Sequence, residues 1–175
     1  NYSGDIMNFQ MASEMITGVS ETVLINDDVA VEDSSYTTGR RGVAATVIVE
    51  KIVGSLAETG GSLKECKILG DKVNRNSGSM GVAFSSCTVP AAGKPTFKLG
   101  SDEMEFGVGI HGEPGRRRDK VQPAQEITNE LLGAIIEDLK PEDNDEILLF
   151  VNGMGGTPLT ELYLLYDNAK KTLDN

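Results

Sequence analysis

Tryptophan is absent from this 175-residue chain, histidine occurs once, cysteine twice, and aromatic residues make up 5%. A single histidine rules out a histidine-rich metal centre. The two cysteines, Cys66 and Cys87, are too far apart to match a metal-ligand spacing. Cys66 falls in a helical pattern and Cys87 in a strand pattern, so both are expected to be buried thiols in a reducing compartment. The expected localisation is therefore cytoplasmic. No apolar run approaches the roughly 18–20 residues of a membrane span, and no basic-then-apolar signal segment opens the sequence. Basic residues are also scarce, 16 against 27 acidic ones, for a formal net charge of −11. Nucleic-acid binding depends on neutralising phosphates, and one short cluster, Arg116 to Arg118 with Lys120, does not reverse that balance.

What is present is ordinary for a globular protein: 39% hydrophobic and 25% charged residues. The length suffices for one comfortable core or two small ones. Ile6, Phe9, Ala12, Met15 and Ile16 recur at helical spacing behind Asp5, which is placed as the N-cap. "ETVLIN" (21–26) reads as a short buried strand. Residues 43–60 read as a largely buried helix ended by Gly60 and Gly61. Residues 62–76 form a second helix, opened by Ser62 with Glu65 three positions on, a capping box. "MGVAFSSCTVP" (80–90) reads as a strand, and "TFKLGSDEMEFGVGIH" as two strands around a turn at Gly100-Ser101-Asp102. Pro123 to Leu139 is an amphipathic helix with Ile127, Leu131, Leu132, Ile135 and Leu139 on one face. "DEILLFVNGMGG" (145–156) reads as a buried strand entering a glycine-rich loop. A last helix then follows Thr157-Pro158 through Leu162, Leu165 and Tyr166. The pattern is α/β in two parts. The start at Asn1, the lone strand of the first part and the final helix lead us to expect a piece of something larger.

Several stretches carry candidate chemistry. His111 sits in "EFGVGIHGEPG", among Gly109, Gly112 and Gly115, in a loop with little steric cover. A neutral imidazole is a base, a nucleophile or a ligand, and an inert turn histidine fits the spacing equally. Asp5 is either a simple N-cap or a carboxylate kept ionised by the helix dipole and suited to act as a base. Arg40 and Arg41, ahead of a helix, bind an anion or pair with Asp27, Asp28, Glu32 or Asp33, and pairing is the expected outcome. "NGMGGTP" (152–158) lacks the Lys-Ser/Thr ending of a Walker phosphate loop and reads as a strand-to-helix turn. Glu103 and Glu105 form a carboxylate pair or simply share one face of a strand.

"NYSGDIMNF", "DDVAVEDSSYTTGRRGVAATV", "CTVPAAGKP", "EMEFGVGIHGEPG" and "VNGMGGTPLTELY" occur in this order. Together they resemble the substrate-binding K subunit, or K domain, of dihydroxyacetone kinases, over essentially the whole chain. The resemblance implies an incomplete central portion of that subunit. Residues 1–78 would be part of a three-layer α/β first domain. Residues 79–175 would be a second, two-layer α/β domain with a mixed sheet, incomplete at its end.

It implies further that the histidine of "GIHGEPG", His111, adds to the ketone of dihydroxyacetone to give a covalent hemiaminal. The aspartate of "NYSGD", Asp5, would accept a hydrogen bond from a substrate hydroxyl and serve as a base for phosphoryl transfer. No cofactor is expected on this chain. ADP or ATP with magnesium would lie on a separate nucleotide-binding L subunit or domain, recharged in some members by a phosphotransferase-system protein. A homodimer is expected. The family also includes coactivator paralogues that bind the ketone without turnover. Its pattern carries an upstream glycine-rich segment with a second substrate-contacting histidine, and a lysine just before "NYSGD"; neither stands in these 175 residues.

Overall fold

The first helix begins earlier than its apolar spacing suggests, because the polar stretch "SGD" is itself helical. In the computed structural model, which describes residues 1–31, 37, 39–86, 88 and 90–174, helix α1 spans Ser3–Met15. The chain divides into two compact units, Asn1–Ser79 and Met80–Asn175. The first contains α1, α2 (Ala45–Glu58) and α3 (Leu63–Arg75). The second contains strands β1 (Val82–Ala83), β2 (Glu103–Phe106) and β3 (Arg117–Lys120) and helices α4 (Ala124–Leu139) and α5 (Leu159–Leu173).

In the first unit, α2 and α3 pack against each other. Ile25, Ala45 and Val49 form a small buried cluster, with Val23, Val53 and Val73 against it. The capping box of α3 is fully formed. Ser62 Oγ accepts from the Glu65 N–H at 3.3 Å, and Glu65 Oε2 accepts from the Ser62 N–H at 2.8 Å. These bonds to Ser62 hold the Glu65 carboxyl below its ordinary pKa, the side-chain bond foremost. Helix α2 has no such local cap; a distant residue supplies one. Asp27 reaches across the unit, its Oδ1 accepting from the Val43 N–H at 2.7 Å and its Oδ2 from the Ala45 N–H at 3.1 Å. It thereby satisfies donors that the first turn of a helix leaves open.

Beside it, Arg41 and Asp28 form a buried ion pair at 2.8 Å, their side chains 1% and 5% exposed. The Asp28 N–H also donates to the Arg41 carbonyl at 3.0 Å. Burial pushes the Asp28 carboxyl above its ordinary pKa. The Ala30 N–H and then Arg41 pull the other way without cancelling the loss of water. Arg41 therefore pairs within the unit, as expected, and its partner is Asp28. The alternatives Glu32 and Asp33 lie outside the described residues, as does Cys87.

The second unit is built on a three-stranded antiparallel sheet in the order β1-β2-β3, where a mixed sheet was expected. Met104 and Phe106 alternate inward from β2 and join Ile127 of α4 in a buried cluster, flanked by Met80, Val82 and Leu131. Phe106 faces Arg117 across the β2–β3 ladder, and the Arg117 guanidinium lies 5.3 Å above its ring. Helices α4 and α5 pack together; Asn168 and Ala169 are the buried residues of α5, whereas Tyr166 is exposed.

Four elements read from the sequence are different in the fold. Residues 96–99, the first of the two strands read around Gly100-Ser101-Asp102, carry no strand. Residues 21–26 and 145–152 carry no strand, because a strand exists only as one side of a ladder and no described segment pairs with them. Of residues 80–90, Val82–Ala83 are strand, Cys87 and Val89 lying outside the described residues. Strand β3, with the sequence Arg-Arg-Asp-Lys, carries no apolar alternation and is held from its side chains by ion pairs.

Replacing Arg41 with Met strands a buried carboxylate, and we expect stability to fall by about 3–5 kcal/mol at neutral pH. A carboxyl whose folded pKa is raised favours the fold in its protonated form, below the ordinary value of 3.8, and loses that contribution as pH rises through the folded value. The loss in Arg41→Met is therefore expected to shrink towards about pH 4. Urea unfolding at both pH values checks this; an equal loss at both contradicts it.

Candidate functional site

The sequence of the 107–116 loop asks it to leave β2 and return to the same place. Gly107 opens it with φ +73° and donates its N–H to the Gly81 carbonyl at 2.7 Å. At the far end the Arg116 N–H donates to the Phe106 carbonyl at 2.8 Å, so the loop closes on the residue where it began. Inside it, Gly109 N–H donates to the Glu113 carbonyl at 3.1 Å and Gly112 N–H to the Gly109 carbonyl at 2.9 Å. The loop thus carries its own backbone bonds, as an exposed site-bearing loop on a rigid hairpin must.

Two of its glycines have a packing reason. Gly112 has φ +85°, and a Cβ there would collide with the Thr96 hydroxyl; one at Gly115 would collide with the Phe106 carbonyl. Bareness of the loop is therefore required first by packing against Thr96 and by the loop's own closure on Phe106. The access this gives the imidazole is a consequence.

His111 stands at the tip, its side chain 59% exposed. Its N–H donates to Glu113 Oε2 at 3.0 Å, and its Nδ1 lies 3.5 Å from Glu113 Oε1. Glu113 is 8% exposed, so the carboxylate is a buried support under an exposed ring. The sequence reading missed Glu113. Its signal was the His-Gly-Glu spacing, in which a glycine turn folds a carboxylate back onto the histidine.

Glu105 anchors the same loop from the strand below. Its Oε1 accepts from the Gly115 N–H at 2.9 Å, and its Oε2 pairs with Arg118 at 3.0 Å. Glu103 lies 3.9 Å from the same guanidinium. The pair Glu103 and Glu105 therefore shares one face of β2 and is engaged by Arg118. Arg117 and Lys120 of the basic cluster are likewise engaged: Arg117 binds Asp119 at 2.6 Å and Glu130 at 2.8 Å, and Lys120 pairs with Asp102.

Asp5 lies elsewhere, in the first unit. It occupies the first turn of α1 and is exposed, whereas the N-cap position belongs to Tyr2, whose side chain makes no cap bond. The expected N-cap role is thus corrected: the helix starts at Ser3 and Asp5 is inside it. What remains for its carboxylate is the favourable field of a helix N-terminus. The start of α1 is tied by an antiparallel bridge between Tyr2 and Thr37. The stretch 152–158 forms bends leading to α5, with Pro158 at the N-cap, in keeping with a turn. Among the described residues no group of three or more His, Cys, Asp or Glu is arranged to hold a metal. No helix there is long and apolar enough to cross a membrane.

Comparison with known proteins covers the entire length. The Dak1 domain profile matches residues 1–175. The chain is 48% identical over 178 aligned residues to the dihydroxyacetone-binding subunit DhaK of a PTS-dependent dihydroxyacetone kinase of Listeria innocua, covering 100% of the chain and 54% of that protein. It is 44% identical to the corresponding subunit of the PEP-dependent kinase of Escherichia coli, covering 95% of the chain and 54% of that protein. Among solved structures it resembles a dihydroxyacetone kinase operon co-activator, with TM-score 0.86 and 31% identity over 99% of the chain and 55% of that protein. It also resembles the C. freundii dihydroxyacetone kinase, with TM-score 0.83 and 28% identity over 98% of the chain and 31% of that protein. The chain spans about half the length of the curated relatives it matches.

The two kinds of glycine give a direct contrast. Gly112→Ala forces a side chain into a left-handed conformation and is expected to cost about 1–3 kcal/mol. Gly133→Ala, in the middle of α4 with open space around it, is expected to stabilise by about 0.5–1 kcal/mol. Thermal unfolding of both variants checks the account; stabilisation by Gly112→Ala contradicts the loop geometry.

Proposed function

The chain belongs to the Dak1 domain family, and we propose that it is the substrate-holding part of a dihydroxyacetone kinase K subunit. The observation that carries the reading is an exposed imidazole on a self-closed loop, in a chain 48% identical along its whole length to a dihydroxyacetone-binding subunit. In this reading the 1–78 and 79–175 portions are parts of the two α/β domains of that subunit. His111 captures the ketone as a hemiaminal. A three-carbon ketone offers little surface to bind by contact alone, so a covalent bond supplies both affinity and selection for a reactive carbonyl over an alcohol such as glycerol.

Asp5, at the N-terminal turn of α1, accepts a hydrogen bond from a substrate hydroxyl and takes its proton as that oxygen attacks phosphorus. A carboxylate is well suited there because the N-terminal end of a helix favours a negative charge. The phosphoryl group comes from a nucleotide-bearing L subunit or domain holding ADP or ATP with magnesium, so this chain supplies capture and orientation. The relatives' names divide the donors. PTS- and PEP-dependent kinases point to indirect supply from a phosphotransferase-system protein. The triokinase/FMN cyclase of Homo sapiens, of whose length this chain covers 31%, leaves room for a nucleotide-binding domain on the same polypeptide, the alternative arrangement. We place the assembly in the cytoplasm as a homodimer.

A second reading, a ketone-binding coactivator without turnover, is favoured by the fold match to the operon co-activator. Turnover separates the two.

His111→Gln is expected to lose dihydroxyacetone affinity by far more than the roughly 0.5–1.5 kcal/mol of one neutral hydrogen bond, read by titration calorimetry; equal affinity in both proteins sinks the hemiaminal. Asp5→Asn is expected to keep affinity and folding stability while phosphoryl transfer with the partner falls by about 100-fold or more. Unchanged turnover removes Asp5 from the mechanism. Binding with no transfer in the parent protein selects the coactivator.

A further inference from the structure

The His111 ring has two nitrogens, and only one can be the nucleophile. We propose that Glu113 is the positioning residue that decides which: its buried carboxylate holds the imidazole as the Nδ1–H tautomer and leaves the lone pair on Nε2. The chemical role of that lone pair rests on the ketone-capture reading above; the tautomer assignment stands on geometry alone.

The geometry is two-pronged. Oε2 accepts the His111 backbone N–H at 3.0 Å, which fixes the carboxylate relative to the main chain of the residue it serves. Oε1 then faces Nδ1 at 3.5 Å, close enough for charge attraction and slightly beyond a normal hydrogen bond. A carboxylate accepts and never donates, so it favours a proton on the nitrogen it faces. Glu113 is itself restrained, because its backbone carbonyl accepts the Gly109 N–H at 3.1 Å. Its burial, 8% exposed against 59% for the histidine side chain, lowers the local dielectric and strengthens the preference.

The arrangement also fits the course of an addition. The Nε2 lone pair forms the bond to the carbonyl carbon, and the π pair of the C=O moves to oxygen, which takes a proton from water. The ring is then substituted at Nε2 and protonated at Nδ1, a cation facing the Glu113 carboxylate. Loss of the Nδ1 proton to water gives the neutral hemiaminal, so one proton enters and one leaves. A carboxylate beside Nδ1 stabilises the cationic stage, as an aspartate does for the imidazolium of a serine protease triad.

The test is ¹⁵N NMR of the imidazole nitrogens in the ligand-free protein that carries this chain, with His111 assigned by difference from His111→Gln. The wild type is expected to show the Nδ1–H form in large excess. Glu113→Gln is expected to reverse it: the amide oxygen takes over the bond from the His111 N–H, which turns the NH₂ towards Nδ1 and drives the proton to Nε2. Backbone amide spectra establish that the variant is folded. A wild type dominated by the Nε2–H form overturns the proposal without any variant. So does an unchanged tautomer ratio in folded Glu113→Gln.

Addition of ¹³C-labelled dihydroxyacetone then tests the chemical role. The adduct is expected to weaken by about tenfold or more in Glu113→Gln, the scale seen when a histidine loses the partner that orients it. An undiminished adduct overturns the positioning role. A wild type with the expected tautomer but no adduct leaves the Glu113 contact supported and removes the ketone-capture reading.

Discussion

The hydrogen bond from the Arg116 N–H to the Phe106 carbonyl is the constraint on which the candidate site depends. It makes the His111 loop an excursion that begins and ends on one rung of a hairpin. Phe106 serves both sides of that rung: its ring is fully buried in the core with Met104 and Ile127, and its carbonyl seats the loop. Anything that moves the core residue moves the loop with it. Gly115 exists at its position because that carbonyl leaves no room for a side chain. A reactive group must be held by its surroundings to avoid a loss of productive geometry, and here the holding comes from the hairpin.

The electrostatics follow the same economy. Acidic groups outnumber basic ones, yet the carboxylates around this hairpin are assigned to specific tasks. Glu105 ties β3 and the loop end together, and Glu113 lies beneath the imidazole. Asp102 and Glu130 engage the basic strand. In the other unit Asp27 caps a helix from a distance and Asp28 is matched by Arg41. The burial of Asp28 and Arg41 is tolerated because the two charges pair at 2.8 Å and Asp28 also accepts the Ala30 N–H at 2.9 Å; a buried charge without such support is costly. These exposed and buried pairs serve different ends: the buried one fixes a chain path, while the exposed ones mainly keep a short, polar strand in register.

What the sequence revealed depended on how local each signal was. The Ser62–Glu65 capping box needed only residues three apart, and it formed as read. The helices at 45–58, 63–75 and 124–139 carried their own periodicity and needed no distant partner to be legible. Residues 21–26 and 145–152 had the apolar content of strands, but strand formation depends on a second backbone that composition does not specify. Strand β3 had the reverse problem: its ladder forms although Arg117 to Lys120 look like a solvated charge run. The N-cap was misplaced by three residues, at Asp5 instead of Tyr2, because the polar start of α1 has no apolar marker. At the site, His111 was conspicuous as the only histidine of this chain. Glu113 was not, because its meaning lies in a glycine turn that brings position 113 back to 111.

The central claim is covalent capture of a ketone at one nitrogen of His111. It is tested most directly by through-bond NMR on the ¹⁵N-histidine-labelled protein with dihydroxyacetone carrying ¹³C at its carbonyl carbon. The account predicts that this carbon becomes tetrahedral and shows a one-bond coupling to Nε2 of His111. A carbon that stays a carbonyl while the ligand is bound, or a coupling to any other nitrogen, would contradict it.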